Sequence, residues 1–160
     1  MPSKAHATSI IEHLKSRGET ISVAESLTGG GLGHALTQIP GASQVFIGGI
    51  IAYTADVKVN FLGVQQSTID QHTVVSEEVA LEMAQGAINR LGSTWAISTT
   101  GIAGPGDYMG IREGTVWISI CGPICHTLQL TLDSGRDGVR QGAISSAIAT
   151  FARILSTQEK

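Results

Sequence analysis

Charge, aromatic rings and cysteine are all scarce in this chain of 160 residues. Charged residues make up 14% and aromatic residues 4%, and there are two cysteines. Hydrophobic residues make up 42%, enough to build a buried core, so wholesale disorder is excluded. With so few rings, that core must come from Ala, Ile, Leu and Val. Ten basic residues against thirteen acidic ones give a net charge of -3. That leaves no broad electrostatic footprint for a nucleic acid or an anionic membrane, and neither is expected as a partner. A local anion site stays open, because one or two arginines and a few backbone N–H groups suffice for a single phosphate. No apolar run approaches the length of a membrane-spanning helix. Met1 to His6 has no apolar core of a secretory signal, so a soluble, cytoplasmic protein is expected. The length fits one domain over residues 1–160.

Cys121 and Cys125 are separated by Gly122-Pro123-Ile124, which is neither a C-x-x-C redox motif nor half of a zinc site. His126 follows, but no second ligand cluster accompanies it. Neither a metal nor a cofactor is expected.

Alternating segments organise the rest. Ile10, Ile11 and Leu14 mark a short amphipathic helix over Ser9 to Ser16, ending at Arg17-Gly18. Thr20 to Ala24 reads as a short strand, followed by Thr28-Gly29-Gly30-Gly31 and a helix carrying Leu32, Leu36 and Ile39. Val45 to Tyr53 reads as a buried strand, Asp56 to Leu62 and Ser67 to His72 as short helices. Ser76-Glu77-Glu78 caps a helix with Val79, Met83, Ala87 and Leu91 on one face. Thr94 to Thr100 is a strand ending in a second glycine-rich turn, Gly101 to Gly106. Thr115 to Cys121 and His126 to Leu132 form a hairpin, and Ser134 caps a final helix with Val139, Ala143, Ala147, Ile148, Phe151 and Leu155 inward. This alternation predicts an α/β fold, a three-layer α/β/α sandwich with a mixed β-sheet.

In such folds ligands sit outside the carboxyl ends of strands. The two glycine turns carry Ser26, Thr28, Thr99 and Thr100, so a phosphate or polar-ligand site there is as good a reading as plain turns. Neither turn matches a dinucleotide or Walker motif. Ser43, Tyr53 and Lys58 form a second constellation. A lysine kept neutral by burial can serve as base for a serine that attacks an amide. From spacing alone, however, Lys58 reads as a surface lysine, Tyr53 as a strand-end aromatic and Ser43 as a helix cap. The five histidines single out no Ser-His-Asp arrangement. Arg136, one of six arginines, stands at a helix start, where it either belongs to ordinary capping or shares an anion with free N–H groups.

Together these stretches resemble the CinA C-terminal domain family and its stand-alone form, nicotinamide-nucleotide amidase. The resemblance is carried by Ala24-Glu25-Ser26-Leu27-Thr28-Gly29-Gly30, Pro40-Gly41-Ala42-Ser43, Gly49 to Tyr53, Lys58, Leu62-Gly63-Val64, Val75 to Ala80, Thr100 to Pro105, Gly114-Thr115-Val116 and Gly135-Arg136. It implies a single amidohydrolase domain without metal or cofactor, converting nicotinamide mononucleotide to nicotinate mononucleotide and ammonia. By motif position Ser43 would be the nucleophile, Lys58 its base and Tyr53 an assisting hydroxyl, with N–H groups near Gly41 to Ser43 on the oxyanion. Ser26, Thr28, Gly29, Gly30, Thr100, Gly101 and Arg136 would line the nucleotide site. No counterpart of the N-terminal CinA domain is read here, and a homo-oligomer is compatible with the family and with apolar, glycine-rich helix surfaces. Two departures stand out. Leu27 replaces a usual Cys, and Pro105 to Gly114 differs from the usual Asp-Gly-Gly and Lys-Pro pattern. The altered loop is the feature favouring the alternative, a non-catalytic pyridine-nucleotide-binding or regulatory paralogue.

Overall fold

The computed structural model describes residues 3–158; Met1 and Pro2, part of the segment read for a leader, lie outside them. The chain runs α1 (Lys4–Arg17), β1 (Ile21–Glu25), α2 (Gly31–Thr37), β2 (Phe46–Ile51), α3 (Ala55–Leu62), α4 (Gln66–His72), α5 (Glu77–Leu91), β3 (Trp95–Gly101), β4 (Thr115–Cys121), β5 (Cys125–Thr131) and α6 (Gly135–Thr157). A one-turn 3-10 helix, Ala42–Gln44, precedes β2.

The five strands form one mixed sheet in the order β2-β1-β3-β4-β5. β1 lies between β2 and β3 and is parallel to both. β3, β4 and β5 are antiparallel neighbours. The carboxyl ends of β1, β2 and β3 therefore open on the same edge, and the crossover helices leave and return around it. One face of the sheet packs against α1, α2 and α6 through Ile10, Leu36, Ile97 and Phe151; the other packs against α3 and α5 through Leu62, Val79 and Met83. Few rings means little bulk between the layers on that second face. There α5 approaches α3 so closely that a Cβ on Gly86 would collide with the Leu62 carbonyl. No described helix is long and apolar enough to cross a membrane.

Local chemistry explains the boundaries. Helix α1 starts earlier than its apolar spacing predicts, because Ser3 Oγ accepts the His6 N–H and caps a polar first turn. It ends at Gly18 in the left-handed region, φ 64. Ser76 Oγ accepts the Val79 N–H at the start of α5, as its position predicts. Ser134 occupies the N-cap position of α6, but its side chain accepts no helix N–H.

One strand differs from its expected setting. The apolar run at Val45 to Tyr53 reads as buried, yet β2 is an edge strand whose residues alternate between half-buried and exposed. Ile47 and Ile51 are 49% and 56% exposed. Continuous apolar composition identified the strand but not its place in the sheet, because helices cover β2 only partly.

Candidate active site

The turn leaving β1 is built around a buried acid. Glu25 is 1% exposed. Its Oε1 accepts the N–H groups of Gly30 (3.2 Å) and Leu32 (2.8 Å), and its Oε2 that of Gly33 (3.0 Å). The free N–H groups at the start of α2 are thus satisfied by the chain's own carboxylate, where an anionic ligand was one of two equal readings. Thr28 is buried and shares a 2.8 Å hydrogen bond with Thr99 through their hydroxyls. Arg140 Nε donates to the Leu27 carbonyl at 3.0 Å. Thr28, Gly29 and Gly30 hold this turn closed, and none of them lines the cavity beside it.

Ser26 is the residue of this turn that faces the open side. Its N–H donates to the Thr99 carbonyl at 3.1 Å, which pins it between β1 and β3. Its Oγ lies 2.9 Å from Lys58 Nζ. Lys58 is 1% exposed, which overturns its reading as a surface lysine. Thr54 caps α3 by accepting the Val57 N–H and so fixes the turn from which Lys58 points inward. Nζ donates to the carbonyls of Ala52 (2.8 Å) and Tyr53 (3.3 Å). No carboxylate is among its partners, and burial lowers its pKa from 10.5 to about 8.

A neutral amine has two N–H donors and one lone pair. In the structure Lys58 Nζ donates to Ser26 Oγ, whose hydroxyl reaches the Tyr53 carbonyl at 3.5 Å; once the amine is neutral and two carbonyls take its donors, its lone pair can accept from that hydroxyl. This arrangement can withdraw a proton from Ser26 Oγ without help from histidine.

Ser43 is elsewhere. It is exposed in the 3-10 turn ahead of β2, whereas Tyr53 and Lys58 follow the strand. A strand of this length spans roughly 17–20 Å, so the expected pairing of Ser43 with Lys58 is not formed. N–H groups near Gly41 are displaced with it. The serine beside Lys58 is Ser26, and Ser43, placed by motif position, stands apart from both.

A cavity of about 510 Å³ opens over Ser26 and Lys58, walled by Val74, Val75 and the segment from Thr100 to Tyr108, well within the range of small-ligand sites. Thr100 and Gly101 line it as expected, although the Thr100 hydroxyl donates to the Val74 carbonyl at 2.7 Å and is engaged in the fold. Arg136 lies across the mouth. Its Nη1 donates to the Gly104 carbonyl at 2.6 Å and its Nη2 reaches the Tyr53 hydroxyl at 3.4 Å. The Tyr53 hydroxyl is therefore at the rim, while its backbone carbonyl serves the floor. Glu25, Thr54 and Tyr108 also shape the site and were not among the expected residues. The first of these stood next to Ser26 in the Ala24-Glu25-Ser26 stretch, and its adjacency to the turn was the available signal.

The CinA C-terminal domain family model matches residues 3–155. This chain belongs to the CinA C-terminal domain family. A CinA-like protein of Gloeothece citriformis is 53% identical over 113 residues, 70% of this chain and 27% of that protein. One from Prochlorococcus marinus is 39% identical over 153 residues, 93% of this chain and 36% of that protein. The chain thus spans about a third of the length of the curated relatives it matches. Among solved structures, the competence/damage inducible protein CihA of Agrobacterium tumefaciens superposes with a TM-score of 0.90 at 33% identity, covering 96% of this chain and 94% of that one. A competence damage-inducible protein A of Klebsiella pneumoniae gives 0.95 at 27% identity, covering 99% and 100%. The CinA-family fold therefore extends over the whole described sheet and both helical layers.

Proposed function

We propose that this CinA-family domain hydrolyses the carboxamide of nicotinamide mononucleotide to nicotinate mononucleotide and ammonia, with Ser26 as nucleophile and Lys58 as base. The observation that carries this reading is the 2.9 Å approach of a buried, uncompensated lysine to a serine hydroxyl at the floor of a cavity.

The steps balance without a metal. Neutral Lys58 takes the proton of Ser26 Oγ as the oxygen bonds to the amide carbon. The C–N bond then breaks as Lys58 returns that proton to the departing nitrogen, releasing ammonia and leaving an acyl-serine. Water, deprotonated by the same amine, attacks the ester; the acid is released and Ser26 Oγ is reprotonated. The first turn of α3 borders the cavity at Thr54 and Ala55. With the Val57 N–H taken by Thr54, the Ala55 and Asp56 N–H groups of this turn suit the oxyanion. Arg136, at the start of α6, where Ser134 does not cap the helix, suits the phosphate.

The test is ammonia release from nicotinamide mononucleotide by the wild type and by Ser26→Ala, Lys58→Met and Ser43→Ala. The first two variants should lose roughly 10⁴-fold or more in kcat/KM, and the third should stay within about twofold, because Ser43 touches nothing in the site. Activity surviving in Ser26→Ala removes the assignment. No ammonia from folded wild type that still binds the nucleotide would replace the amidase by a binding paralogue.

A further inference from the structure

We infer that Tyr108 is a specificity residue whose ring stacks on the flat heteroaromatic ring bearing the scissile carboxamide; this rests on the amidase reading above. The sequence contains two tyrosines, Tyr53 and Tyr108, and both line the same cavity. They are 58% and 55% exposed, so folding buries neither and core packing does not account for them. The aromatic ring pair of the described residues is Trp95 with Phe151, deep in the core; the two tyrosines are not stacked on each other.

The loop that carries Tyr108 is braced. Its base is tied by Ile102 N–H to the Thr115 carbonyl (2.9 Å) and Gly114 N–H to the Ile102 carbonyl (2.7 Å). Nearer the tip, Tyr108 and Ile111 exchange both backbone hydrogen bonds, at 2.9 and 2.8 Å. The two residues between them, Met109 and Gly110, have φ 53 and 76, the left-handed pair that a tight two-residue hairpin demands. Met109 carries a side chain in a region that favours glycine, so the tip holds local strain. Two carboxylates hold the approach: Glu113 accepts the Gly106 N–H at 2.8 Å, and Asp107 accepts the Glu113 N–H at 2.9 Å. Tyr108 is thus presented at the cavity wall on a fixed arm, and little order remains to be imposed when a ligand arrives.

The chemistry of the substrate class fits. The amide carbon must reach Ser26 Oγ at the floor, and the ring is bonded directly to that carbon, so it lies in the cavity above Ser26. An N-glycosylated pyridine ring is flat and cationic, and a tyrosine face attracts both properties. An aliphatic amide offers neither, so Tyr108 selects the aromatic amide.

The experiment is calorimetric titration of nicotinamide mononucleotide into Ser26→Ala protein with Tyr108 kept, or changed to Phe or Leu, alongside ammonia kinetics in the Ser26 forms. Tyr108→Leu should raise Kd and KM about five- to tenfold with kcat nearly unchanged, and Tyr108→Phe should stay within about twofold. Equal Kd for the Leu form overturns the inference, as does absence of binding by every form. Binding that depends on the Tyr108 ring without ammonia from any form supports it and removes the amidase reading instead. Ammonia release with unchanged KM in Tyr108→Leu does the reverse.

Discussion

The turn after β1 and the turn after β3 are both rich in glycine and hydroxyl side chains, and both stand at carboxyl ends of parallel strands. In the first, the buried Glu25 carboxylate closes on three N–H groups at the start of α2. In the second, the backbone from Gly101 to Gly106 lines the cavity, and Arg136 reaches over it to the Gly104 carbonyl. A helix N-terminus binds an anion only if the chain has not already supplied one. Glycine content alone does not distinguish a turn that holds itself together from a turn that waits for a ligand. Ser26 belongs to the closed turn by sequence and to the open cavity by orientation.

The largest test of this contrast is Glu25→Ala. It leaves three N–H groups of a buried helix start without their acceptor, and should destabilise the fold by about 3–5 kcal/mol in urea unfolding. A loss under about 1 kcal/mol would mean that water replaces the carboxylate and that the turn is not closed.

Next comes the second buried charge beside Ser26. Lys58 titrates at about 8 folded and 10.5 unfolded, so between those values the unfolded chain binds more protons and stability rises with pH. Below about 8 both states are charged and the full penalty, about 3 kcal/mol, persists; above 10.5 it is gone. Unfolding of wild type and Lys58→Met compared across pH 7 to 11 should show this rise in the wild type alone. With Lys58 as the proposed base, the same neutralisation should make kcat/KM climb through pH about 8. A profile flat from pH 6 to 10 would remove Lys58 as the base.

Arg136→Ala should raise KM about tenfold by removing a charge-assisted contact at the mouth, with urea stability nearly unaltered. An unchanged KM would leave Arg136 as a strap between Tyr53 and Gly104 alone. The smallest effect is expected from Gly106→Ala. Nothing lies within 4 Å of the added methyl, but φ is +93, so the cost is strain alone, about 1 kcal/mol. A markedly larger loss would show that the open turn is more tightly packed than its cavity implies.

Much of this fold was legible from the chain. The alternation of elements gave the layers, and Ser76 and the Val79, Met83, Ala87 spacing located α5. That Lys58 would have a serine partner was expected too, but the serine beside it is Ser26 and not Ser43. Parallel strands bring their carboxyl ends together, so a residue just after β1 meets a residue just after β2 across a gap of 32 positions. Ser43 is closer to Lys58 in sequence and stands before the strand, at the far end of the sheet. Ser43 came from motif position; reading parallel strand ends as neighbours points instead to Ser26 beside Lys58. The capping role of Glu25 was not legible, because nothing in a strand-end acid says which helix start will fold back onto it. The edge position of β2 was hidden for a similar reason: composition reports apolarity and not the number of strands alongside.

That edge position ties the durability of the site to its least protected ladder. Lys58 is held by the carbonyls of Ala52 and Tyr53, which directly follow β2, and β2 has β1 as its one neighbour in the sheet. Fraying of a single row of backbone hydrogen bonds would release both acceptors and let water reach the amine, while the core around Phe151 stays intact. Local openings of this kind need less free energy than global unfolding. The amine's lowered pKa is therefore only as lasting as the outermost strand, and on warming the chain can expose this lysine while still counting as folded.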